Sequence, residues 1–113
     1  MKTLIAMGAL ACAFSAAASD YQWIVPADEW ARPRDGARVV SLAPLRDSAV
    51  EWMREPDQRL VIRYPGGEEG VLWAGELRDW LVALGIPSAR VELVPGYPRA
   101  DAMEITVSPP GAF

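Results

Sequence analysis

The alternation of apolar and polar positions divides the chain into segments of different character. Residues 4–14 form an uninterrupted small-apolar run behind a short positive start, Met1-Lys2-Thr3. Such a run is too short to span about 30 Å of hydrocarbon. Ser15-Ala16-Ala17-Ala18-Ser19 then supplies small residues at the cleavage positions, so residues 1–19 are expected to be a removable signal peptide. In residues 20–38 Trp23, Ile24, Val25 and Trp30 recur without a clear period. Pro26, Pro33 and Gly36 interrupt them, which predicts an extended N-terminal arm.

Beyond the arm the two structural periods alternate. Arg38-Val39-Val40-Ser41-Leu42 is short and β-branched, and predicts a first strand. Pro44 suits the first turn of a helix, with Leu45, Ala49, Val50 and Met53 at three- and four-residue spacing and Pro56 as the stop. Arg59-Leu60-Val61-Ile62-Arg63-Tyr64 is apolar on both faces and predicts a central strand, ended by Pro65-Gly66-Gly67. A second helix follows, with Trp73, Leu77, Trp80, Leu81 and Leu84 on one face and Glu76, Arg78 and Asp79 away from it. Gly85 fits its left-handed end, and Pro87 prevents continuation.

Two alternating strands, residues 90–94 and 103–107, flank a Pro95-Gly96-Tyr97-Pro98 turn, and a frayed tail occupies residues 108–113. The order β-α-β-α-β-β predicts an α/β fold of the α+β two-layer kind, a mixed sheet with both helices on one face over residues 39–107. The strand-helix-strand of residues 59–94 should cross over right-handed and leave its two strands parallel.

Composition narrows the chemistry sharply. The chain has 113 residues and a net charge of −4. Histidine is absent, and Lys2 and Cys12, the only lysine and cysteine, both lie in the signal. Without them the folded part has no imidazole, thiol or amine. Histidine- or cysteine-ligated zinc, Schiff-base chemistry and imidazole triads are therefore excluded there. The acidic balance argues against nucleic acid as a partner. Cys12, in Ala9-Leu10-Ala11-Cys12, offers lipidation as a lesser alternative to cleavage.

Local motifs add little chemistry. Pro65-Gly66-Gly67-Glu68-Glu69-Gly70 precedes a helix but lacks the lysine of a phosphate-binding loop, and two carboxylates repel phosphate. Glu68 and Glu69 read as ordinary helix-start acids. Ser41, Ser48, Ser88 and Ser108 lack the usual histidine or lysine base of a serine nucleophile. No calcium-loop register is present. Neither a cofactor nor a catalytic residue is expected. Among the five tryptophans, Trp73 and Trp80 fit the core face of the second helix. Trp52 falls beside its helix's apolar stripe, and with Trp23 and Trp30 it is the candidate for an aromatic contact with a partner.

One stretch carries a family likeness. Ala74-Gly75-Glu76-Leu77-Arg78-Asp79-Trp80-Leu81-Val82-Ala83-Leu84-Gly85-Ile86 resembles the second helix of the OmpA-like C-terminal domain of Gram-negative envelope proteins. Ser88-Ala89-Arg90-Val91-Glu92-Leu93 is similar to the strand that follows it, Pro95-Gly96-Tyr97 to its exit turn, and Leu60-Val61-Ile62 to its central strand. Those domains hold peptidoglycan through an aspartate after the central strand and an arginine early in the second helix. Here Gly66-Gly67 stands near the first place and Trp73 at the second, so the resemblance is to a degenerate form without that pair.

The resemblance implies a periplasmic, non-enzymatic accessory or interaction module of the bacterial envelope, with an envelope protein as partner. Gly67, Glu68, Glu69, Trp73, Trp23, Trp30 and Trp52 are the candidate contact residues. The alternative is a peptidoglycan binder that uses Glu68, Glu69 and Arg99 in a non-standard site.

Overall fold

The computed structural model describes residues 22–32 and 35–109. The expected signal at residues 1–19 lies outside them, as does most of the expected tail. The described chain runs β1 (Gln22–Pro26), α1 (Ala27–Trp30), α2 (Gly36–Ser41), α3 (Ala43–Arg54), β2 (Arg59–Tyr64) and α4 (Glu68–Ala83). A short 3-10 turn (Ser88–Arg90) then leads to β3 (Val91–Pro95) and β4 (Ala102–Ser108).

The sheet order is β1-β4-β2-β3. β4 is antiparallel to both of its neighbours, and β2 and β3 are parallel, as the strand-helix-strand pattern implied. The fold is the expected two-layer α+β arrangement with a mixed sheet. The expected β-α-β-α-β-β order is changed at its start: the first strand is a different one, and three helices, α1 to α3, stand between it and β2.

Residues 38–42 are not that strand. Most of them belong to α2, where the Asp35 side chain accepts a hydrogen bond from the Arg38 backbone N–H at 2.9 Å and caps the helix. A local cap outweighs the weak β preference of two adjacent valines, because strand propensity depends on finding a partner. The place in the sheet goes to residues 22–26, inside the stretch expected to be an arm. Trp23 pairs with Ile105 and Val25 with Met103.

The register also fixes which side chains meet the helices. Trp23, Val25, Met103, Ile105, Val107, Leu60, Ile62, Val91 and Leu93 share one face of the sheet and pack in one cluster with α3 and α4. β4, flanked at both edges by β1 and β2, is buried at residues 102–105 and at Val107.

α3 is rotated from its expected phase. Leu45, Ser48, Ala49 and Trp52 point inward, whereas Val50 and Met53 are 51% and 50% exposed. Ser48 tolerates burial by donating its hydroxyl to the Leu45 carbonyl at 3.2 Å. Trp52 does so by donating its indole N–H to the Gln58 carbonyl at 2.8 Å.

α4 buries Gly70, Ala74, Leu77 and Leu81, with Trp73, Trp80 and Leu84 half-buried beside them. It ends as the Gly85-Ile86 pair predicts. Gly85 adopts φ 114°, its N–H reaches the Val82 carbonyl at 3.0 Å, and the Ile86 N–H reaches the Leu81 carbonyl at 3.2 Å. Leu81 and Ile86 are both fully buried, so the terminal hydrogen bonds and the hydrophobic contact of this motif occur together.

Candidate functional site

The link from β2 to α4 builds the most distinctive surface of the molecule. The chain leaves Tyr64 through buried Pro65, and Gly67, with φ 97°, turns it into α4. A Cβ on Gly70 would lie 1.9 Å from the Pro65 carbonyl oxygen, so only glycine lets the first turn of the helix approach so closely. The glycine-rich run is therefore explained by packing and backbone shape.

Folded in this way, the first turns of α4 frame a hollow of about 560 Å³ lined by Gly67, Glu68, Val71 and Leu72. Val71 is 54% exposed and Leu72 66%, both of them large aliphatic side chains left in water. Leu72 lies four residues after Glu68, three after Glu69 and four before Glu76, so helical spacing sets exposed carboxylates around it. Neither Glu68 nor Glu69 forms an ion pair with a described residue, while Asp79 is held by Arg78 at 3.3 Å. The negative groups also lie at the positive end of the helix, where their charge is favoured.

The expected contact residues thus separate into two groups. Gly67 and Glu68 line the hollow, and Glu69 follows in the same helical turn. Trp73 is half-buried against the core, as is Trp23 on β1. Trp30 and Trp52 are buried and present no ring to a partner. For Trp52 the cause is the rotated phase of α3, and for Trp30 the docking of β1 and α1 against the core cluster. Val71 and Leu72 were not singled out from the sequence. Their signal was legible nonetheless: the stripe through Trp73, Leu77, Trp80, Leu81 and Leu84 leaves both without a place in the core.

Two other clusters bring charged groups together away from α4, and in the first the Arg38 Nε is buried without a hydrogen-bond partner among the described residues. A second hollow, about 370 Å³, is lined by Val25, Pro26, Glu29, Arg38, Ser41, Leu42, Ala43 and Pro44. Its cation, Arg38, is already neutralised by Glu29 at 3.2 Å. On the sheet face opposite the helices, the Glu104 carboxylate is buried and accepts from Gln22 Nε2 and from Arg63 Nη1, the latter at 3.3 Å. Arg63 also lies over the Tyr97 ring, 5.4 Å from its centroid. Beside it Arg59 pairs with Glu92 at 3.2 Å. These contacts brace the sheet and give each oxygen of the Glu104 carboxylate a donor.

Among the described residues no cluster of three or more potential metal ligands occurs, and no helix is long and apolar enough to cross a membrane. Comparison with protein-family models and with curated proteins finds no match.

Proposed function

We propose that this chain is a non-enzymatic accessory module of the bacterial cell envelope, exported to the periplasm, that works by binding another protein through the first turns of α4. The observation that carries this reading is the exposure of Leu72 and Val71 at the rim of the 560 Å³ hollow. Burying a fully exposed aliphatic side chain contributes about 1.5–3 kcal/mol, and the more than half of Leu72 and Val71 that is left in water is open to that gain. The signal pattern of residues 1–19 supports export, and the OmpA-like resemblance supports the compartment.

The peptidoglycan alternative draws less support. Arg99 is engaged by Asp101 at 3.1 Å and does not line the hollow, whose charged group is the carboxylate of Glu68. A photocrosslinking residue at position 72, in cells expressing the protein, tests the reading. A discrete protein adduct is expected, competed away by excess unlabelled protein but not by its Leu72→Ser variant. Adducts that are no more specific than those from exposed Ala89 would overturn it, as would retention on purified sacculi that Leu72→Ser leaves unchanged.

A further inference from the structure

We infer that the segment docking on α4 is a cationic, apolar stretch of a protein, a large aliphatic or aromatic anchor with lysine or arginine on the side that meets the start of the helix. This deepens the docking reading above and rests on it. Leu72 and Val71 supply an apolar seat, and Glu68 and Glu69 lie about one helical turn before Leu72. At 1.5 Å rise per residue, four residues correspond to about 6 Å along the helix, so the partner's cations lie about 6 Å from its anchor, toward the start of α4.

The other charges near the seat do not cancel this pattern. Arg78, the only basic residue in α4, is committed to Asp79 at 3.3 Å. Glu68 and Glu69 have no ion-pair partner among the described residues. A second copy of this chain would bring the same carboxylates against themselves, and an anionic lipid surface would be repelled for the same reason. Complementary charge gives such an interface its selectivity and speed of encounter more than its total strength.

The test uses the purified protein and two fluorescently labelled helical peptides that share one leucine anchor. One carries lysine at positions three and four residues from the anchor on both sides, and its twin carries glutamate there. Fluorescence anisotropy should show the lysine peptide binding at least about fivefold more tightly than the glutamate peptide, with the preference fading as NaCl rises from low to high concentration. Glu68→Lys combined with Glu69→Lys should reverse the preference, and Leu72→Ser should weaken both peptides.

Equal affinity for the two peptides, lost for both in Leu72→Ser, would overturn the cationic partner while leaving the docking reading standing. A concentration-dependent dimer abolished by Leu72→Ser would overturn it in favour of a second copy. Binding to phosphatidylglycerol vesicles abolished by the same substitution would overturn it in favour of a membrane. Binding of neither peptide overturns the inference outright, and the crosslinking experiment then decides the docking reading separately.

Discussion

Gly70 and Gly75 lie on the same helix five residues apart and face opposite fates on substitution. A methyl group at Gly70 would enter the Pro65 carbonyl, a backbone atom that cannot swing aside, whereas nothing lies within 4 Å of one at Gly75. Gly70→Ala should therefore cost about 1–3 kcal/mol as overpacking. Gly75→Ala should stabilise the protein by about 0.5–1 kcal/mol through helix propensity alone. Urea midpoints that move in opposite directions would check both. Trp52 offers a different residue-scale test, since its indole N–H donates to the Gln58 carbonyl inside the protein. Trp52→Phe keeps most of the ring's packing but leaves that carbonyl unserved, at about 1–3 kcal/mol. An unchanged midpoint would mean that solvent reaches the Gln58 carbonyl.

At the scale of elements, the Arg63–Glu104 contact ties two neighbouring strands across the sheet, and its two ends are unequal. The Glu104 side chain is nearly fully buried, while that of Arg63 is 42% exposed. Arg63→Met leaves a buried carboxylate with only Gln22, whereas Glu104→Gln leaves a guanidinium that water can serve. The first substitution should be the more destabilising of the two, approaching about 3–5 kcal/mol. A double-mutant cycle in urea measures the difference. The β3–β4 turn supplies a pH test. The hydrogen bond and then the charge of Arg99 hold the Asp101 carboxyl below its ordinary value. A lowered folded-state pKa adds stability above the unfolded value, and that stability is lost as pH falls through the folded one. Both groups are fully exposed, so stability should change little. NMR titration should show Asp101 protonating below the usual aspartate range and moving upward in Arg99→Gln.

The elements also differ in how far their sequence announced them. β2, α4, β3 and β4 were legible because period, proline stops and Gly85 all act locally. β1 was not, because Gln22–Pro26 has no alternation and takes its order from Thr106 and its neighbours at the far end of the chain. α2 was misread because its cap, Asp35, stands outside the valine run that suggested a strand. The acidic start of α4 was visible as candidate contact residues. The exposed pair beside it emerged only when the buried face of α4 was fixed.

For the molecule as a whole, α3, α4 and the sheet share one apolar cluster, so damage at any of them should be felt everywhere. Leu81, fully buried in the last turn of α4, tests this. Leu81→Ala should cost about 2–5 kcal/mol, a large share of the ~5–15 kcal/mol typical of a domain. Tryptophan fluorescence and far-ultraviolet circular dichroism should lose signal in one coincident transition, and separated transitions would divide the cluster. The placement of β4 between β1 and β2 has a consequence in time as well as in space. A chain made from its amino end presents β1 first, yet the strand that β1 must join is the last of the four described strands to be made. Until residue 102 appears, β1 has no neighbour, and β2 and β3 can form only a parallel pair with one side unfilled. Nascent chains stopped before that point should be cut readily by protease, and chains carrying β4 should resist. Closure is deferred until β4 has been made, so the chain stays threadable up to that point.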